Sequence, residues 1–243
     1  MGVYRLDVKM YSFKSKVRYS EVDKDGQLSL EALMNYFQDC SSFHSESLGV
    51  GIDFLKENHL TWMLLGWHVQ IFRRPGLGEE ITVGTWPHSF RNIRGGRNFV
   101  LIDDKGNTIA RADSEWVLYN IAQNRITKVP KEISEPYTLE DALDMGEIKK
   151  LAIEDEKLTK CDQMTVSPFL LDTNGHVNNV NYLNIAESYV AKEGYNEFFA
   201  EYKNQAFLKD EISVYTHVEN GKNQIVLKNQ KDEILVKTEF GTM

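Results

Sequence analysis

A stretch of about twenty residues occurs twice in this chain, and that repeat narrows the folds open to it more than any other feature. Val17 to Asp39 is echoed by Val166 to Ser188. Asp23 stands against Asp172, Gly26 against Gly175 and Asn35 against Asn184, each pair 149 residues apart. Each copy reads as a short strand, an Asp-x-Asp/Asn-Gly turn, and then an apolar-periodic stretch. Leu30, Leu33, Met34 and Phe37 fall at helical spacing in the first copy, and Val180, Leu183 and Val190 in the second. Ser29 and Asn178 are placed to cap the free N–H groups of the two helices, and Gly49 and Gly194 to end them. One such unit would be unremarkable, but an in-register match followed by similar strands is not.

Alternation of period two follows each predicted helix. Ile81–Trp86 and Ile212–His217 both come after an acidic turn, at Glu79-Glu80 and Asp210-Glu211. Arg97–Asp103, a turn at 103–107, and Thr108–Asn120 form a predicted hairpin, matched later by Gln224–Gln230 and Ile234–Phe240. Such strands bury one face of a sheet and wet the other. A one-faced sheet with a single apolar helix has one compact arrangement, in which the sheet wraps the helix. The expected fold is therefore α+β, two tandem hot-dog domains. The first should cover residues 1–130 and the second 161–243. The acidic stretch 131–160, with Pro130 and Pro136 near its start, reads as the connector.

Composition excludes several classes. With 42% hydrophobic and 26% charged residues the chain is an ordinary globular one, and no apolar run approaches membrane-spanning length. No signal-peptide core is visible at the N-terminus, and Leu6 stands where a myristoylation motif needs Ser or Thr. Two cysteines cannot form a disulfide framework, so a cytoplasmic location is expected. A net charge of −8 argues against nucleic-acid binding. All nine arginines lie between Arg5 and Arg125, so an acidic partner should dock on the first half.

The string with most chemistry runs from Asp172 to Tyr182. Asn174-Gly175 favours a tight turn, and His176 follows it at the mouth of the second helix, where N–H groups and the helix dipole favour developing negative charge. An imidazole that titrates near neutrality suits a general base. Asp172 is placed to polarise water, attack directly or orient a partner, and the Asn174 amide to donate to a carbonyl. If the turn is locally extended, positions 172, 174 and 176 share a side. Asp-x-Asn-Gly is also an ordinary turn, and the string alone favours structure. The first copy changes the balance. It carries Asp23, Asp25 and Gln27, so both copies keep the turn and only the second has an imidazole. The remaining histidines and the cysteines show no metal-ligand spacing, so neither metal nor cofactor is expected.

The segment Asn174–Leu183 resembles the active-site segment of the acyl-acyl-carrier-protein thioesterases. Trp67–Trp86, Arg111–Asn120 and Arg125–Pro130 carry the same resemblance in the same order along nearly the whole chain. The resemblance implies tandem hot-dog domains, hydrolysis of a fatty-acyl thioester held on acyl-carrier protein, no metal, and catalytic roles for Asp172, Asn174 and His176. It also implies a departure, because Gln205 and Ala206 occupy the positions of a Glu-Cys pair in the plant enzymes. A covalent cysteine route is thereby put in doubt. Gln205 is left as a water-positioning candidate or a plain solvated strand-start residue.

An acyl chain needs an apolar tunnel, for which Leu33, Met34, Phe37, Trp62, Met63 and Leu65 are candidates, although any one of them taken singly is better read as packed core. Arg91, Arg94 and Arg97 form a basic run between two strands that is a candidate dock for acyl-carrier protein. The alternatives are a hot-dog thioesterase acting on acyl-coenzyme A, a non-catalytic acyl-binding hot-dog protein, and a hydratase or dehydratase. Fused repeats supply internally the pairing that single hot-dog proteins gain by dimerising, so monomer and homodimer both stay open.

Overall fold

The computed structural model describes residues 8–172, 174–190 and 194–243. Arg5 and Leu6 lie outside the described residues. Contacts divide the chain into two compact units, Met1–Leu65 with Ile71–Glu147, and Gly66–Gln70 with Ile148–Met243. Each pairs an antiparallel sheet with a helix lying on it, the α+β hot-dog arrangement.

The first unit runs β1 (Tyr11–Lys16), α1 (Leu30–Ser47), α2 (Ile52–Glu57), β2 (Leu60–Ile71), β3 (Glu80–Arg91), β4 (Arg94–Asp103), β5 (Thr108–Asn120), β6 (Arg125–Ile126) and α3 (Lys131–Ser134). Its strands stand in the order β1-β3-β4-β5, with β6 paired to β5. The Ser29 side chain accepts the Ala32 N–H and starts α1, as expected of an N-cap. Leu30, Leu33, Met34, Phe37 and Cys40 form its buried stripe, and the helix packs on β3 and β1. Phe37 meets Phe99 of β4 with ring centroids 5.3 Å apart, and both rings are fully buried. Each such ring contributes about 1.5–3 kcal/mol by leaving water. Gly49, at φ +72°, follows the helix end. β3 continues through Pro87 because its neighbour β1 ends at the Tyr11–Thr85 pair, and the missing N–H then faces no partner strand there.

The second unit contains residues 66–70 of β2, then β7 (Thr159–Thr165), α4 (Asn179–Glu187), β8 (Glu197–Tyr202), β9 (Glu211–Glu219), β10 (Lys222–Asn229) and β11 (Ile234–Gly241). Residues 66–70 pair with β8, and the order continues β8-β11-β10-β9-β7. Phe198 and Phe240, 5.3 Å apart, lie at the centre of its core. Asn178 caps α4 by accepting the Val180 N–H.

The helix expected to reach Gly194 ends at Glu187, and Val190 lies beyond it. Ser188 closes the last turn with its hydroxyl on the Ile185 carbonyl, and Tyr189 leaves the helix axis to bond Asp162. α4 therefore has nine residues against eighteen in α1. The acidic stretch after Pro130 is packed on its units. In the first unit Tyr137 and Met145 are buried and the Leu143 N–H binds Asn98 Oδ1. In the second, Leu151 and Ile153 join Phe199 and Val226 in one apolar cluster.

Candidate active site

The repeated turn is built from the same hydrogen bonds in both units. In the first, Asp23 Oδ1 accepts the N–H groups of Asp25 at 2.9 Å and Gln27 at 3.1 Å. Its own N–H reaches the Gln27 carbonyl at 2.7 Å. In the second, Asp172 Oδ1 accepts the N–H groups of Asn174 at 2.8 Å and His176 at 3.1 Å, and its N–H reaches the His176 carbonyl at 2.7 Å. Gly26 at φ +74° and Gly175 at φ +78° supply the left-handed residue that each turn requires. The carboxylate at the head of the turn is thus first a structural group, since the first unit uses it so with no imidazole present. In the second unit that same oxygen fixes the backbone of His176.

The three expected catalytic side chains do not lie along one extended face. Asp172 turns back over the loop, Asn174 sits exposed at its tip, and His176 is half-buried where the chain enters a short bridge. Among the described residues no hydrogen bond joins one of these three side chains to another. Among the described residues Asp172 Oδ1 takes both turn bonds and Oδ2 takes none.

The strand segment beside His176 comes from the loop after β8. The Val177 N–H donates to the Ala206 carbonyl at 3.0 Å, and His176 bridges Phe207. The rings of His176 and Phe207 meet edge-on, 5.0 Å between centroids and 78° between planes. The Ala206 N–H donates to the Tyr182 hydroxyl at 2.8 Å. Burial pushes the ionisation of Tyr182 well above the usual phenol range, and the nearby Asp210 and Asp172 carboxylates push it the same way. Sequence reading singled out neither Tyr182 nor Phe207. Gln205 is exposed in the loop after β8 and is not at a strand start, whereas Ala206 is fully buried. Of the two thiols, Cys161 is exposed and Cys40 is buried in α1, where burial pushes it up to about 12.

In the first unit the corresponding end of the helix opens on a polar cleft of about 150 Å³, lined by Arg18, Glu21, Ser29, Asn35, Tyr36 and Asp39 among others. It has hydroxyls and carboxylates but no imidazole. The proposed acyl-lining residues Leu33, Met34 and Phe37 are buried under the sheet, and Trp62 packs with the Leu60, Leu118 and Ile133 cluster. Met63 and Leu65 are partly exposed.

The basic run requires a correction. Arg91 and Arg94 are exposed at the β3–β4 turn, and Arg94 pairs with Glu115. Arg97 lies inside β4 and is only 8% exposed. Its guanidinium donates to His44 Nδ1 at 3.2 Å and Thr85 Oγ1 at 3.3 Å, and it lies over the Tyr137 ring. It cannot form part of a docking surface in this conformation. Burial and the Arg97 charge hold the His44 imidazole down at about 4, which keeps Nδ1 free to accept.

Among the described residues no group of three or more His, Cys, Asp or Glu side chains is placed to hold a metal ion, and no helix is long and apolar enough to cross a membrane. The family model for the acyl-ACP thioesterase N-terminal domain matches residues 8–137. Oleoyl-acyl carrier protein thioesterase 1, chloroplastic, of Arabidopsis thaliana is 28% identical over 202 residues, covering 75% of this chain and 55% of that protein. An acyl-ACP thioesterase structure from Bacteroides thetaiotaomicron superposes with a TM-score of 0.87 at 22% identity, covering 95% of this chain and 96% of that one. The 12:0-ACP thioesterase of Umbellularia californica superposes with a TM-score of 0.84 at 24% identity, covering 97% and 98%. The chain spans about half the length of the curated relatives it matches. With its family model matched over more than half its length, the chain belongs to the acyl-ACP thioesterase family.

Proposed function

We propose that the protein hydrolyses fatty-acyl thioesters carried on acyl-carrier protein, releasing the free acid and the carrier thiol, as a step that ends fatty-acid elongation. One observation carries the reading within the family: two turns agree bond for bond, and only the second presents an imidazole. In the reaction His176 takes a proton from water as the water oxygen attacks the thioester carbonyl carbon. The carbonyl oxygen gains the negative charge, which the Asn174 amide is proposed to stabilise by hydrogen bonding. When the intermediate collapses the C–S bond breaks, and the imidazolium returns its proton to the leaving sulfur. Asp172 holds the His176 backbone through Oδ1 and keeps Oδ2 for water or for a proton donor. No thiol is needed, since the position expected for a nucleophilic cysteine holds Ala206. Gln205, exposed next to Ala206, is the proposed water-positioning residue.

Residues 1–130 are proposed as the domain that takes the acyl chain, 161–243 as the catalytic domain, and 131–160 as their acidic connector. Leu33, Met34, Phe37, Trp62, Met63 and Leu65 are the proposed lining. Arg91 and Arg94 are the proposed contacts for the carrier. Two free thiols agree with a reducing, cytoplasmic compartment.

The test is thiol release from acyl-carrier-protein substrates of graded chain length. His176→Ala should lower kcat by at least ~100-fold, the scale of a lost general base, while Gln27→Ala in the first copy leaves turnover nearly intact. Equal losses in the two variants would refute the asymmetric-site reading. Binding of acyl thioester without any thiol release would make the protein a non-catalytic acyl binder.

A further inference from the structure

The repeat extends past the turn, and several of the places where the two copies differ lie beside His176. Trp67–Ile81 corresponds to Phe198–Ile212, now 131 residues apart. The correspondence is structural as well. Gly76 N–H donates to Glu79 Oε1 at 2.8 Å, and Phe207 N–H to Asp210 Oδ2 at 2.8 Å. Gln27 bridges Gly76 in the first unit just as His176 bridges Phe207 in the second. Beside these, the Leu28 N–H donates to the Pro75 carbonyl at 2.8 Å, as the Val177 N–H does to Ala206.

Four of the differences between the copies bear on His176 and its neighbours. Glutamine becomes His176, glycine becomes Phe207, proline becomes Ala206, and Leu33 becomes Tyr182. They form two matched pairs. Pro75 has no N–H and Leu33 no hydroxyl, whereas Ala206 has an N–H that the buried Tyr182 hydroxyl accepts. Gly76 sets no ring against Gln27, whereas Phe207 sets its ring edge-on against the imidazole. A half-exposed phenyl ring contributes little to a core, and Phe207 is 51% exposed. Its position is explained by what it touches.

We infer that Phe207 is the positioning residue for His176, its ring limiting the imidazole to one orientation, with the Tyr182–Ala206 hydrogen bond fixing the strand that carries it. A general base acts only when its ring nitrogen points at the attacking water, and small errors in placement are costly in rate. The edge-on contact removes ring rotations that would point the nitrogen elsewhere. Phe207 touches no reacting atom and acts through His176. The inference rests on the proposed role of His176 as base.

A double-mutant cycle on thiol release tests it. Phe207→Ala should lower kcat roughly tenfold and change KM less than about twofold, with the melting temperature unmoved. Phe207→Tyr should restore most of the rate. In a His176→Ala background the Phe207→Ala change should cost nothing more, because no base remains to be oriented. Tyr182→Phe should show a smaller loss of the same kind, and it too should vanish without His176. An equal Phe207→Ala loss in both backgrounds, or a raised KM at constant kcat, would overturn the inference and make Phe207 a structural or substrate-binding residue. If His176→Ala itself leaves turnover intact, the proposed function fails first. If His176→Ala abolishes turnover and Phe207→Ala changes nothing, only the positioning role fails.

Discussion

The His44 imidazole is held neutral by its surroundings, and that makes it a measurable residue. It stacks on Tyr11 at 5.2 Å, meets Tyr137 edge-on at 5.2 Å, and accepts from Arg97. Its ionisation is lowered from 6.5 to about 4 by burial and by the Arg97 charge. Between those two values the unfolded chain binds the proton and the folded chain does not, so stability rises with pH across that window and is lost as pH falls through it. His44→Gln keeps an acceptor for Arg97 and removes the titration. Its denaturation midpoint between pH 4.5 and 6.5 should therefore vary less with pH than the parent's, and an unchanged slope would exclude His44 as the source. The thiols give a second prediction at this scale. Cys40 is buried with its sulfur toward the Val83 carbonyl, and Cys161 is exposed on β7 with its sulfur toward the Val214 carbonyl. The double variant Cys40→Ala, Cys161→Ser should keep kcat within a few-fold of the parent, since losing a covalent nucleophile costs orders of magnitude. Near-complete loss in a variant with native circular dichroism would return a thiol to the mechanism.

Among the elements, the acidic turn before β3 and β9 shows how far the copies can diverge on one backbone. Across the first turn the Gly78 N–H donates to the Val17 carbonyl and the Val17 N–H to the Glu79 carbonyl; across the second the Lys209 N–H donates to the Val166 carbonyl and the Val166 N–H to the Asp210 carbonyl. Gly78 has φ +84° and Lys209 φ +72°, so the second copy keeps a side chain in the left-handed region where the first has glycine. Lys209→Gly should stabilise the protein by about 0.5–1 kcal/mol, raising the melting temperature by roughly 2–4 °C at most. A fall in melting temperature would show that the lysine side chain contributes more than its backbone strain costs. The strands and the two N-caps were legible because period-two burial and a Ser or Asn before an apolar stripe are local signals. The end of α4 was not, since Ser188 and Tyr189 close it through contacts that no glycine announces. Arg97 opens a predicted strand and is also counted in the basic run expected between two strands, with Gly95 and Gly96 just before it. In the fold those glycines lie within β4, where Trp62, Phe90 and His88 close directly over the backbone, and a Cβ on Gly96 would lie 2.3 Å from His88 Cε1. Asp172–His176 was legible from the 149-residue spacing. Phe207 was hidden because the spacing falls from 149 to 131 before its segment is reached; α4 is nine residues shorter than α1, and the first unit also carries α2 between its long helix and β2.

Across the whole molecule, charge is uneven in a way that bears on the proposed carrier. The chain carries −8 overall, yet all its arginines precede residue 126. An acidic partner is repelled by the net charge and attracted by a local basic patch, so the few exposed arginines should govern the encounter. With Arg97 buried, Arg91 and Arg94 at the β3–β4 turn are the candidates to remove together. Arg91→Ala, Arg94→Ala should raise KM for acyl-carrier-protein substrate about three- to tenfold at low salt and flatten its dependence on ionic strength, because exposed charges act over a Debye length of about 10 Å at 0.1 M salt. A small synthetic thioester should be hydrolysed at the parent rate. Arg94 is paired with Glu115, so removing it also exposes a carboxylate that would itself repel the carrier. The variant Arg91→Ala, Arg94→Ala, Glu115→Ala separates these effects. If it recovers the parent KM, repulsion by Glu115 explains the loss and the arginines are not contacts; if KM stays raised, attraction by the two guanidiniums is what has been lost.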